Sequence, residues 1–152
     1  MTPPASANDT IVQEITIHAP AARIFDALTD PDQLLLWWRM EDQFKLVRAL
    51  CDVRSGGKWT MRVMGQSPGE EQRESIVHGV YRTVVPPHLL EYTWIREEEQ
   101  DHPETIVRWE LQQYGKETRV RVTHSGLTTP RLRERNSGWI FIVQLLKEYI
   151  EE

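Results

Sequence analysis

The sequence predicts an α+β domain: a curved antiparallel sheet of six to seven strands wrapped around a long C-terminal helix, with two short helices after the first strand. Three observations lead there. Trp139 to Val143 are consecutive apolar residues, and Leu145, Leu146, Tyr149 and Ile150 continue at helical spacing. A helix apolar on every side must be covered on more than one face. Between Phe44 and His124, segment after segment alternates apolar with polar residues across short turns, which is the pattern of a meander of half-buried strands. Two helix-opening prolines, Pro20 and Pro31, follow the first strand directly. Each strand offers one apolar face, and the terminal helix is the element long and apolar enough to be covered by it.

Residues 1–9 are polar and Pro/Ala-rich, the composition of a disordered tail, leaving residues 10–152 as a single domain. Ile11 to His18 alternates, with Ile11, Ile15 and Ile17 opposed to Glu14, Thr16 and His18, and reads as a strand. Pro20 opens a short helix, Ala21 to Leu28. Asp30 and Pro31 supply the N-cap and first position of a second helix that runs through Trp37. Strands follow at Phe44 to Ala49 and at Lys58 to Met64, the latter with Trp59, Met61 and Val63 on one face. Glu74 to Val85 is a strand whose facing is ambiguous, because both phases carry apolar residues. Three more run through Leu90, Tyr92 and Trp94, through Val107, Trp109 and Leu111, and through Val120, Val122 and His124. Turns fall at Ser55-Gly56-Gly57, Pro86-Pro87 and Tyr114-Gly115-Lys116, and polar loops at Gly65 to Glu71 and Glu97 to His102. The last helix runs from Pro130, behind Thr129 as N-cap, to Ile150. Gly138 inside it costs about 1 kcal/mol relative to alanine and marks either a small kink or the close approach of another backbone.

Composition excludes several classes. A net charge of −5, from 18 basic and 23 acidic residues, argues against a general nucleic-acid binder, which needs a basic face. The single cysteine, Cys51, forms no intrachain disulfide and fits a reducing, cytoplasmic setting. The first ten residues lack the apolar core of a signal peptide, and no run approaches the ~20 apolar residues of a membrane span. The six tryptophans are large side chains that belong mostly in an interior.

An ordered set of short motifs carries a resemblance. It comprises Ala19-Pro20 with Ile24 to Pro31, Trp37-Trp38, Asp52 to Trp59, and Gly79-Val80-Tyr81 before Pro86-Pro87. It continues with Leu90 to Trp94, Thr118-Arg119-Val120, Thr123 to Leu127 and Gly138-Trp139. From about residue 11 to 151 the chain resembles the SRPBCC (START-like, helix-grip) superfamily and, within it, the family named for activators of heat-shock-protein-ninety ATPase. Arg39-Met40 stands where that family usually has Gly-Pro, which implies a differently shaped cavity mouth. The resemblance implies a helix-grip fold with a cavity between sheet and helix, and mostly non-catalytic binders. Co-chaperone activity belongs to longer eukaryotic members with an extra N-terminal domain and is not expected here.

Read for chemistry, the chain holds no Gly-x-Ser-x-Gly, phosphate loop, Gly-x-Gly-x-x-Gly or Cys-x-x-Cys. The five histidines have no metal-ligand spacing, and no metal, cofactor or catalytic residue is expected. His78 and His124 are the two able to reach the interior, as hydrogen-bonded wall residues or, in a catalytic reading, as general bases. Asp52, Arg54 and Gly56-Gly57 read as a hairpin, and the charge of Asp52 disfavours a thiolate at Cys51. The aromatic set reads either as a solid core or as the wall of a cavity of a few hundred Å3. The expected lining is Trp37, Trp38, Trp59, Met61, Tyr81, Tyr92, Trp94, Trp109, His124, Trp139 and Phe141. The expected function is binding of a small hydrophobic or aromatic ligand by a monomer or homodimer. One alternative is a cyclase/aromatase-type enzyme using the same cavity, with His124 or Tyr92 moving a proton. The other is a co-chaperone or regulatory protein-interaction module. That module would need an apolar patch on the outer sheet face, where the sequence places Arg62, Arg108, Arg119 and Arg121.

Overall fold

Strict alternation of apolar residues builds the sheet, and its first strand closes onto its last. In a computed structural model, which describes residues 9–69, 71 and 73–152, β1 (Ile11–Ile17) pairs with β8 (Glu117–Ser125). The predicted tail lies outside the described residues except for Asp9, whose carbonyl accepts from the Leu127 amide. Between these strands come β2 (Arg39–Met40), β3 (Phe44–Cys51), β4 (Lys58–Gly65), β5 (Glu74–Val85), β6 (Leu89–Arg96) and β7 (Thr105–Tyr114). The sheet order is β1-β8-β7-β6-β5-β4-β3-β2, antiparallel throughout. The strand count is therefore eight rather than six to seven. The addition is β2, the Arg39-Met40 pair, which extends the edge by pairing with Lys45 and Phe44.

Register sets the inward rows. Tyr81 stands opposite Tyr92, Tyr92 opposite Val107, Val107 opposite His124, and His124 opposite Ile11. A parallel row joins Met61, Val77 and Arg96. The sheet curls because register shifts fall between Leu46 and Arg48 and between Tyr81 and Thr83. Gly79 deepens the curl: a Cβ there would stand 1.9 Å from the Thr93 carbonyl oxygen, so only glycine lets β5 pass so close to β6. The second shift also explains why Glu74 to Val85 showed no single apolar phase.

Two short helices, α1 (Ala21–Thr29) and α2 (Pro31–Trp37), follow β1 as expected, with the Asp30 side chain capping α2 through the Asp32 amide at 3.0 Å. The terminal segment departs from the single long helix. It forms α3 (Pro130–Arg135), capped by Thr129, and α4 (Trp139–Glu151), thirteen residues. Asn136 ends α3 by leaving helical geometry (φ −117°, ψ 25°). Its side-chain amide donates to the Leu132 carbonyl at 2.8 Å, while its Oδ1 takes the Trp94 indole and Arg96 Nε at 3.1 and 2.9 Å. Those tertiary bonds outweigh one more helical turn. Gly138 then stands at the N-cap of α4 with nothing within 4 Å of where a Cβ would be, so it marks neither a kink within a helix nor a close backbone approach. The all-round burial expected at Trp139 to Val143 is also corrected: Trp139, Ile142 and Val143 are buried, whereas Ile140 and Phe141 are more than half exposed. No helix among the described residues is long and apolar enough to cross a membrane.

Candidate functional site

The curl of the sheet and the break before α4 leave a space that side chains do not fill. A hollow of about 600 Å3 lies between the inward faces of β2 to β6 and the α3–α4 junction. From the sheet it is lined by Met40, Phe44, Met61, Val63, Val77 and Trp94, from α4 by Trp139, Phe141 and Ile142, and from the end of α2 by its C-cap Trp38. Gly138 adds a stretch of bare backbone, and Gln43, Ser75, Arg96, Arg135 and Asn136 give the hollow a polar side. Met40 joins the wall because Arg39-Met40 pairs as a strand, so the departure from Gly-Pro contributes directly to the hollow's mouth.

Of the eleven residues expected to line a cavity, Trp38, Met61, Trp94, Trp139 and Phe141 do so. Phe141, at 56 % exposure, stands at the rim. Trp37, Trp59, Tyr81, Tyr92, Trp109 and His124 do not; they are buried behind the wall as solid core. The aromatic set is thus divided between solid core and the border of the hollow. The core indoles bond inward: Trp37 Nε1 donates to the Ala27 carbonyl at 2.8 Å, Trp59 to the Thr93 carbonyl at 3.2 Å, and Trp109 to the Tyr92 hydroxyl at 3.0 Å. Burial holds the Tyr92 phenol above its usual range, so it stays protonated. Trp139 is the hub, with ring centroids 5.4 to 6.0 Å from those of Trp94, His124, Trp109 and Trp38.

His124 is fully buried and both its nitrogens are engaged. Nδ1 accepts from Trp139 Nε1 at 2.9 Å, which requires it to be unprotonated. Nε2 therefore carries the hydrogen and donates to Thr105 Oγ1 at 2.7 Å, and that hydroxyl donates to the Trp94 carbonyl at 3.1 Å. The ring is a neutral clasp joining β6, β7, β8 and α4. Burial, with the Arg96 charge second, pulls its pKa down to about 3. The pH dependence follows. A native-state pKa below the ordinary 6.5 means the unfolded chain binds the proton first, so stability rises with pH across that interval. This contribution is complete above pH 6.5 and is lost as pH falls toward 3. Between about pH 5 and 6.5, above most carboxylate titrations, the thermal midpoint should fall more steeply for wild type than for His124→Gln. Parallel profiles would contradict the neutral clasp.

His78, expected to reach the interior, instead lies on the outer face and pairs with Glu97, because Val77, Gly79 and Tyr81 take the inward phase of β5. The other histidines stand apart: His18 beside Glu117, His88 near the Leu111 carbonyl and His102 near that of Glu97. Among the described residues no three His, Cys, Asp or Glu groups come together for a metal ion. At Cys51, burial raises the thiol pKa, a hydrogen bond with Tyr81 opposes it, and the Asp30 charge adds to it, so the acid that acts on the thiol is Asp30 rather than Asp52. Asp52 instead pairs with Arg54 across the hairpin at 2.9 Å. On the outer sheet face Arg62 pairs with Glu74, Arg108 with Glu91 and Arg121 with Glu14, while Arg119 lies over the Tyr114 ring.

The polar residues of the expected lining, Tyr81, Tyr92 and His124, lie in the core, and the polar side that the hollow does have was not among the expected residues. Arg96 continues the phase of Tyr92 and Trp94, so the signal was present; its charge concealed it. Arg96 Nε donates to Asn136, Nη1 reaches Ser75 Oγ at 3.4 Å and Glu98 at 3.6 Å, and the guanidinium lies 5.5 Å from the Trp94 ring centroid.

The sequence pattern of one family, described as Activator of Hsp90 ATPase homolog 1-like protein, matches residues 18–151. Among solved structures, protein CV1439 from Chromobacterium violaceum superposes with a TM-score of 0.79 at 23 % identity, over 95 % of this chain and 99 % of that one. Protein NE0264 from Nitrosomonas europaea gives 0.78 at 19 %, over 96 % of each. The AHSA1-like protein from Aeromonas hydrophila, solved by NMR, gives 0.74 at 18 %, over 93 % of this chain and 92 % of that one. At these identities the likeness is one of fold. No curated protein matches the sequence.

Proposed function

Because the chain belongs to the Activator of Hsp90 ATPase homolog 1-like family, in the SRPBCC helix-grip class whose fold commonly binds hydrophobic ligands, we propose that it holds a small hydrophobic or aromatic molecule between sheet and α4. The observation that carries this reading is the hollow of about 600 Å3, walled by Trp38, Met61, Trp94, Trp139 and Phe141. Its size lies within the range of small-molecule sites, and indole and thioether walls are their usual lining. Behind the wall, a core of hydrogen-bonded indoles keeps the space from collapsing.

The position of the two candidate proton carriers weighs against the cyclase reading. His124 and Tyr92 sit in the core with their polar atoms bonded to Trp139, Thr105 and Trp109, away from the hollow. The ionic pairing of the outer sheet face weighs against docking of an apolar partner there. Titration with the neutral probe N-phenyl-1-naphthylamine should quench tryptophan fluorescence saturably, since three indoles border the hollow. Quenching that stays linear with probe concentration would overturn the reading.

A further inference from the structure

The charges around the hollow are sorted by sign. The chain as a whole is acidic, with a net charge of −5. Yet among the described residues the charged side chains lining the hollow are both cations, Arg96 and Arg135. The neighbouring acids, Glu98 and Glu99, pair with these cations from behind the wall. Glu99 is buried, and its two oxygens take Arg131 Nε at 3.1 Å and Arg135 Nε at 2.8 Å. Glu98 uses one oxygen, Oε1, for the Ser75 hydroxyl, for Arg135 Nη2 at 3.3 Å and for Arg96 Nη1 at 3.6 Å. These acids tie α3 to the loop after β6 and do not line the hollow.

Arg96 is the informative residue. It occupies an inward position of β6 beside Val77 of β5, and its side chain is only 21 % exposed. Nε is held by Asn136, and Nη1 stands 3.4 Å from Ser75 Oγ and 3.6 Å from Glu98. A guanidinium carries five N–H donors, and at Arg96 its carboxylate neighbour, Glu98, lies at 3.6 Å rather than in a close bidentate pair, which leaves donor capacity toward the hollow. With Nε donating to Asn136, a carboxylate head would take an Nη donor, and Asn136 with Trp94 fixes the plane in which the group lies.

We propose that the ligand is an amphipathic monoanion: an aromatic or apolar body against Trp38, Met61, Trp94 and Phe141, and a carboxylate head on Arg96 and Arg135. This rests on the binding reading above and adds the head group to it. The matched pair naphthalene-2-carboxylate and naphthalene-2-carboxamide differs only in that head. Calorimetric or fluorescence titration should find the carboxylate bound on the order of tenfold or more tightly than the amide, the size expected of one charge-assisted hydrogen bond. The preference should vanish in Arg96→Gln and shrink in Arg135→Gln. Arg135 is partly exposed on α3, so its variant keeps the test readable if Arg96→Gln does not fold.

Equal binding of carboxylate and amide, or a carboxylate preference that survives both substitutions, would overturn the anionic head and leave the apolar binding reading intact. Binding of N-phenyl-1-naphthylamine without either naphthalene compound would do the same. Failure of all three probes would remove both.

Discussion

Trp139→Ala should destabilise the protein by about 3–5 kcal/mol, the usual cost of truncating a buried aromatic. Trp139 is 4 % exposed and stands where the helix meets the sheet. Its ring touches those of Trp38, Trp94, Trp109 and His124, and its N–H satisfies His124 Nδ1. Truncation therefore removes packing from α2, β6, β7 and β8 at once and leaves a buried acceptor unpaired. For a domain of this size the thermal midpoint should fall by roughly 6–20 °C. A fall of less than about 2 °C would mean that α4 is anchored some other way.

Gly79→Ala should be as severe, for a different reason. The new Cβ would meet the Thr93 carbonyl oxygen at 1.9 Å and its carbon at 2.6 Å, and backbone atoms cannot rotate aside. Relief requires β5 and β6 to separate where the Val80 amide bonds Thr93 Oγ1 and Trp59 Nε1 bonds the Thr93 carbonyl. A loss above about 3 kcal/mol is expected, beyond ordinary overpacking. Gly138→Ala is the internal control. Nothing lies within 4 Å of its Cβ position and its φ is −79°, so denaturant unfolding should move by less than about 0.5 kcal/mol. Similar losses in the two variants would contradict the close approach at Gly79.

Elements with one clean period were legible in the sequence. Thr105 to Tyr114 and Glu117 to Ser125 bury the alternate residues that the pattern named, and Lys58 to Gly65 buries Trp59 and Met61 and half-buries Val63. Strand β5 was not, because a register shift after Tyr81 and a side-chain-free position at Gly79 change its phase midway. The break in the terminal helix was half legible. Asn136-Ser137-Gly138 is a cluster of helix breakers, but what ends α3 is a bond from Trp94 and Arg96, distant in sequence, to Asn136. The wall was divided correctly only in part, since alternation assigns a side chain to the inner face without saying whether it meets another side chain or open space. Trp59 and Met61 share a face, yet Trp59 packs on Tyr92 and Trp94 while Met61 borders the hollow.

The six tryptophans fall into two groups, and that division can be read directly. In a 1H–15N spectrum each indole N–H gives its own signal. During titration with N-phenyl-1-naphthylamine, the signals of Trp38, Trp94 and Trp139, which line the hollow, should shift saturably with one common affinity. Those of Trp37, Trp59 and Trp109, bonded within the core to Ala27, Thr93 and Tyr92, should stay nearly still. Saturable shifts confined to the second group, or no saturable shift in the first, would contradict a ligand site between the sheet and the C-terminal helix.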